Sequence, residues 1–346
     1  MTRAEAVRLI EAARTPDELF GSGGAREYRR LIRLVHPDAG GPREAFDRLT
    51  TLWRAYGPPA IRTRRGTYAM GATPVRGDLA NLYDAGEAIV KIPRDPAVND
   101  LLEREAIALR QLPKDGDGRF LPYVPRLLES FRHRDEATGT ERRANAIGRL
   151  DGFRSLAEVR AAYAGGVDPR DVAWMWRRLL VALGFAHRAG VLHGAVLPEH
   201  VLIHPEQHGL VLVDWCYSVP GCHPDRGVRV PAMVTRRGGW YPPEVAAREP
   251  AGPGTDIYLA TRCMTYLMGD RAPKPLRAFA RGCLLTAQNR RPSDAWRLLA
   301  ELDDLLDRLY GPRRFRPFHL PVRPDGPPGR PDPRVPGTRV PGKKGA

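Results

Sequence analysis

The chain has 346 residues, with 55 Lys/Arg against 40 Asp/Glu for a formal charge of +15, and is 42% hydrophobic, which leaves room for more than one globular core. Its most apolar stretch, residues 179–186, is far shorter than a membrane span, and the first residues carry no signal-peptide core, so a cytosolic protein with no membrane partner is expected. The four cysteines, Cys216, Cys222, Cys263 and Cys283, are too few and too irregularly spaced for a disulfide framework, and no second cysteine-histidine pair joins Cys222-His223 to make a zinc site.

Residues 5–13 supply Val7, Leu9 and Ile10 to a short helix. Over residues 25–35, Tyr28, Leu31, Ile32 and Val35 fall at i, i+3, i+4 and i+7, while Arg26, Arg29, Arg30 and Arg33 take the opposite face. Pro37 cannot continue this helix, and Asp38-Ala39-Gly40-Gly41 is turn chemistry. Beyond Pro42, Phe46, Leu49, Trp53 and Tyr56 recur at spacings of three and four. Two antiparallel helices joined by a short polar loop are therefore expected. In order, spacing and charge, residues 1–57 resemble the DnaJ-type J-domain. The resemblance implies that His36, Pro37 and Asp38 trigger ATP hydrolysis by a DnaK-type chaperone, with Arg29, Arg30 and Arg33 as the docking face. One departure is Gly21 to Gly24, where the family has a tight hydrophobic connection.

Pro58, Pro59 and the basic run Arg62 to Arg65 suggest an exposed linker over residues 58–66. Residues 67–92 alternate short apolar runs with Gly and Asp turns, as an antiparallel meander does. Within that stretch Lys91 is a lone cation in an apolar strand, costly to bury unless its ammonium meets an anion. The helical pattern of residues 100–112 offers Glu103 and Glu105 as partners. From here to about residue 310 the chain resembles the protein kinase fold. Glu105-Ala-Ile-Ala-Leu109 has the family's E-x-x-x-L form, residues 146–152 look like the last strand and hinge, and residues 176–189 look like the long helix before the catalytic loop. VLHGAVLPEHVLI, residues 191–203, aligns without gaps on the catalytic loop HRDLKPENVLL, and LVLVDWC, residues 210–216, lies where the metal-binding motif belongs. Tyr241-Pro242-Pro243-Glu244 resembles the end of the activation segment, Asp256 the buried helix aspartate, and Arg291 the arginine that pairs with Glu244. The expected fold class is α+β: a small all-α J-domain, then a two-lobed kinase-like fold with a β-rich N-lobe (67–148) and an α-rich C-lobe (149–310).

The resemblance implies ATP and Mg2+ as cofactors, with Gly77 and Lys91 on the phosphates, Glu105 pairing with Lys91, and Asp214 as metal ligand. The same alignment puts Ala195 where the base aspartate belongs, Leu197 where a phosphate-steadying lysine belongs, and His200 where a metal-binding asparagine belongs. A methyl group accepts no proton, and losing a general base costs about 10²- to 10⁴-fold in rate. Only Gly71 and Gly77 represent the glycine-rich loop. Lys91 and Glu105 can equally be an ion pair that merely orients a helix, and Asp214 a carboxylate capping nearby amides. His193 is expected to pack under the loop; His200, beside Glu199, is a replacement ligand or base, or a surface histidine.

Residues 311–346 carry nine Lys/Arg against two Asp, a net +7, and ten prolines, so a disordered basic tail is expected, able to solubilise or to meet nucleic acid or an acidic surface. The leading expectation is a J-domain co-chaperone whose catalytically impaired kinase-like domain binds a protein client or senses nucleotide. The alternatives are an atypical kinase-fold transferase and nucleic-acid association through the tail.

Overall fold

A computed structural model describes residues 1–20, 24–56, 60–71, 74–134, 139–222 and 227–321. It begins with four helices, α1 (Arg3–Ala12), α2 (Pro16–Phe20), α3 (Gly24–Val35) and α4 (Arg43–Tyr56). Thr2 and Glu5 form a reciprocal capping box at the start of α1, and Arg48 donates to the carbonyls of Ile10 and Ala13 at its other end. Ile10, Leu19, Phe20, Leu31, Val35 and Leu49 meet in one small core. The pairing of α3 with α4 is antiparallel: Tyr28 stacks on Trp53 at one end, with centroids 4.3 Å apart, and His36 meets Phe46 edge-on at the other. α2 has no counterpart in the sequence expectations; it forms because Leu19 and Phe20 complete the apolar faces of its neighbours.

Strand β1 (Ala60–Arg62) pairs antiparallel with β2 (Thr67–Ala69). The expected linker over residues 58–66 is corrected here: Ile61 is buried with Met70, Val90, Ile92 and Ala144, and that apolar contact turns part of the stretch into strand. Pro58 and Pro59 lie outside the described residues. Next come β3 (Val75–Arg76), β4 (Ala80–Asp84), β5 (Ala88–Pro93), β6 (Leu127–Arg134) and β7 (Glu141–Gly148), an antiparallel sheet of order β3-β4-β5-β7-β6. Helix α5 (Asn99–Asp115) packs on this sheet with Leu102 and Ala106 fully buried.

The second lobe is helical. It contains β8 (Arg154–Ser155), α6 (Leu156–Ala162), α7 (Pro169–Arg188), the short strands β9 (Val191–Leu192), β10 (Val201–His204), β11 (Gly209–Leu212) and β12 (Val219–Pro220), and then α8 (Pro243–Ala246), α9 (Pro253–Met268), α10 (Lys274–Cys283) and α11 (Ala295–Tyr310). Helix α7 is the spine of the lobe, buried along most of its length from Val172 to Ala186. Gly184 lets α11 approach it, since a Cβ there would sit 2.5 Å from the Trp296 indole nitrogen. Asp256, fully buried on α9, accepts the backbone amides of His193 at 2.8 Å and Gly194 at 2.9 Å, and so fixes the loop that leads to the cleft. Arg291 makes a two-pronged pair with Glu244 at 2.7 and 2.9 Å, and Thr255 donates to the same carboxylate.

The expected disordered tail needs correction at its start. Residues 311–321 lie along the helical lobe: Phe318 is buried against Tyr163 and Trp174, Arg316 lies 3.2 Å from Asp171, and Arg313 pairs with Asp303. Composition pointed to disorder because it counts prolines and arginines; one buried aromatic and its ionic neighbours outweigh them locally. The remainder of the expected tail, 322–346, lies outside the described residues. Among the described residues, no helix is long and apolar enough to cross a membrane.

Truncating a well-buried phenylalanine typically costs about 3 kcal/mol or more. Phe318→Ala should therefore lower the denaturant midpoint of the full chain by about that equivalent, and an unchanged midpoint would show that residues 311–321 contribute nothing to the fold.

Candidate functional site

Between the lobes lies a cleft of about 780 Å3, with Leu82, Ile89, Ile147 and Leu202 among its apolar walls and a charged floor. The floor is built from four segments. Lys91 comes from β5, where it stands in register with Leu82 of β4 and Asn145 of β7. Its ammonium lies 2.6 Å from Glu105 Oε1 and 2.8 Å from Asp214 Oδ1. Glu105 is fully buried on α5, and its second oxygen accepts from Asn145 Nδ2 at 2.9 Å, so the sheet and the helix are clamped by one carboxylate. Burial opposes the charge on Lys91, yet Asp214 and Glu105 hold its pKa well above the usual lysine value.

Asp214 follows β11 in a left-handed conformation, φ 64°, a strain of about 1–2 kcal/mol for an L residue. That twist aims its carboxylate at the cleft, and it makes no side-chain cap to the turn Trp215–Tyr217 that follows, so the amide-capping alternative does not hold. Its second oxygen lies 3.1 Å from His200 Nε2. Burial would raise the Asp214 pKa, but Lys91 and His200 together hold it well below the usual carboxylate value.

The surface-histidine expectation for His200 is corrected: the side chain is 5% exposed. Nδ1 lies 2.8 Å from the Ala195 carbonyl, and Nε2 lies between Asp78 Oδ2 at 3.0 Å and Asp214 Oδ2 at 3.1 Å. A carbonyl and two carboxylates can only accept, so both ring nitrogens carry protons and the ring is an imidazolium. Burial pulls its pKa down, but Asp214 and then Asp78 outweigh burial and raise it to about 10. His193 is the opposite case: Nδ1 accepts the Ala195 amide, Nε2 faces the Val213 carbonyl, and burial lowers its pKa to about 4. It packs beneath the loop as a neutral ring.

Over the floor stands the turn between β3 and β4, closed by the Gly77 amide on the Ala80 carbonyl at 2.9 Å. A Cβ on Gly77 would come within 3.1 Å of that carbonyl oxygen. Gly71 is not part of this turn; its amide bonds to Asp84 at the far end of β4. Asp78 reaches down from the turn to His200 and accepts from Arg236 Nε at 2.8 Å. Arg237 pairs in turn with Glu199. Four cations (Lys91, His200, Arg236, Arg237) thus face four carboxylates (Glu105, Asp214, Asp78, Glu199), and the floor is neutral by itself.

Ala195 and Leu197 are fully buried in the helical lobe, so neither offers a polar group to the cleft. Glu199 lines the cleft, but Arg237 holds it. The donor set does not fit the Mg2+ expected on Asp214. Both of its oxygens are engaged by cations, and the second expected ligand is an imidazole, whereas Mg2+ takes oxygen ligands. Asp78, Asn145 and Arg236 were absent from the sequence reading. Asp78 could have been found there: an acid immediately after Gly77 opposes the binding of an anion by that turn.

No protein-family model matches the chain. The crystal structure of the PknI kinase domain from Mycobacterium tuberculosis superposes with a TM-score of 0.50 at 14% identity, covering 69% of this chain and 95% of that one. Casein kinase II subunit alpha' of Saccharomyces cerevisiae is 38% identical over 45 residues, 13% of each chain. Large T antigens of murine polyomavirus strains are 28% identical over 97 residues, and the match spans 12% of their length. The likeness in structure establishes a protein kinase-like fold.

The His200 pKa, raised from 6.5 to about 10, ties stability to pH. A proton bound in the folded state and absent in the unfolded state stabilises fully below about pH 6.5 and is lost as pH rises toward 10. Unfolding free energy should fall by up to about 1.4 kcal/mol per pH unit across that window. In His200→Gln this loss should vanish; parallel pH profiles for the two proteins would show that His200 is not charged in the fold.

Proposed function

We propose that the chain is a J-domain co-chaperone whose kinase-like domain has given up phosphoryl transfer and serves as a folded module for binding a protein client. The observation that carries the reading is a contrast within one chain. His36, Pro37 and Asp38 form a turn between α3 and α4, with Pro37 and Asp38 exposed to solvent. Arg29, Arg30 and Arg33 are exposed on the helix that leads into it. In the cleft, by contrast, Ala195 stands where the base aspartate belongs and the floor carboxylates Glu105, Asp214, Asp78 and Glu199 are each paired with a cation. On this reading the ATP hydrolysis belongs to a DnaK-type partner.

The local chemistry supports a rigid trigger. His36 Nδ1 accepts the Asp38 amide at 3.2 Å, the ring abuts Phe46, and Gly40 ends the turn with φ 78°. Arg3 donates to the carbonyls of Leu34 at 3.0 Å and Gly40 at 3.1 Å, binding the turn to α1. A preformed turn loses little entropy on docking, and a cationic face beside it steers an acidic partner surface into register.

A second reading, an atypical transferase, is favoured by the intact set Lys91, Glu105 and Asp214. It requires a proton acceptor that the loop does not supply. Asp214→Ala would abolish such an activity and leave stimulation of a chaperone ATPase untouched.

His36→Gln should reduce stimulation of a DnaK-type ATPase at least tenfold, measured by single-turnover hydrolysis, while the melting temperature stays close to that of the parent. Stimulation that survives in the variant would overturn the co-chaperone assignment.

A further inference from the structure

We propose that Asp78 is a built-in stand-in for a ligand phosphate: its carboxylate occupies an anion seat formed by His200 and Arg236, and the cleft accepts a polyphosphate, without a divalent metal, by exchanging it. The inference goes beyond the client-binding reading of the kinase-like domain and adds a nucleotide response to it.

Three features argue for a seat rather than an incidental surface pair. The Asp78 side chain is 6% exposed, and its two oxygens are divided between the two lobe-side cations, Oδ2 on His200 Nε2 at 3.0 Å and Oδ1 on Arg236 Nε at 2.8 Å, with Arg236 Nη2 on the same oxygen. A guanidinium edge beside an imidazolium offers the forked, charged donors that suit a phosphate oxygen pair. The seat is also next to the rest of the floor, since the ligand atoms of Asp78, His200 and Asp214 all lie within 4.8 Å of one another.

Charge explains why no metal is needed. With Asp78 withdrawn, Lys91, His200, Arg236 and Arg237 face only Glu105, Asp214 and Glu199, which leaves one positive charge in excess and two donors aimed at the vacated place. Lys91 and His200 already stand against the Asp214 carboxylate at 2.8 and 3.1 Å, where the expected magnesium ion would be held. Exchange requires only that the Asp78 side chain swing out of the seat, because the turn backbone is held in place by Arg94, which donates to the carbonyls of Gly77 at 2.7 Å and Ala80 at 3.1 Å.

The test is calorimetric titration of ADP into the full chain in EDTA and again in excess Mg2+. Asp78→Ala and the isosteric Asp78→Asn should bind ADP at least tenfold tighter than the parent, equally in both buffers, and inorganic tripolyphosphate should compete. Adding Arg236→Gln to Asp78→Asn should abolish the gain. No gain in either folded variant, or binding that appears only with Mg2+, would overturn the proposal. Stimulation of a chaperone ATPase by the same variants reports separately on the co-chaperone reading, because none of them alters residues 1–57.

Discussion

A buried ammonium has to be neutralised where it stands, and Lys91 is neutralised from both lobes at once, by Glu105 of α5 and by Asp214 beyond β11. Removing two charges from water costs several kcal/mol per ion, and only close, complete pairing offsets it. The pairing is complete because each ion is shared. Glu105 is also held by Asn145, Asp214 by His200, His200 by Asp78, and Asp78 by Arg236. The result is a chain of alternating charge that runs from the sheet, through the floor of the cleft, to the segment before α8. Taking out an inner member strands its neighbours, so the relative placement of sheet, helix and loop depends on each of them.

On the reading of the kinase-like domain as a binding module, the same chain accounts for the loss of phosphoryl transfer. A transferase needs carboxylates free to hold metal and one free to take a proton; here the carboxylates are used against side-chain cations instead. His200 supplies a fixed positive charge in the place of an exchangeable one, and Ala195 leaves only a backbone carbonyl, which His200 then uses as its second acceptor. The substitutions are mutually consistent. An asparagine at position 200 would leave Asp78 and Asp214 as two close carboxylates with no cation between them, and an aspartate at 195 would add a further acid to a floor already in balance.

Much of this architecture was legible because it follows from single residues in strong local patterns. Lys91 stands out as the lone charge in an apolar strand, and Glu244 and Arg291 stand in recognisable motifs; the ion pair they form is what such motifs exist to make. His200 was not legible, since its meaning comes from positions 78, 195 and 214, which are remote in sequence and meet only in the fold. Ile61 and Phe318 were missed for a related reason: each is one apolar residue in a stretch dominated by proline and arginine, and burial is decided by whether a complementary surface waits elsewhere in the chain. α2 did carry a local signal, Pro16 followed by two acids at a helix start, but five residues are too few for periodicity to register.

The connection between the two parts constrains how they work together. α4 ends at Tyr56 and β1 begins at Ala60, so three intervening residues allow a span of at most about 14 Å. The His36 turn lies at the opposite end of α4, and 14 helical residues place it roughly 20 Å from that junction. On the co-chaperone reading, a chaperone docked at the turn therefore stands within a protein diameter of the start of the kinase-like domain. So short a tether raises the effective concentration of client at the chaperone to the millimolar range, without any contact between them. Delivery then needs only modest affinity at each end, and a nucleotide-dependent change in the cleft needs to alter only client binding to be transmitted to the chaperone cycle.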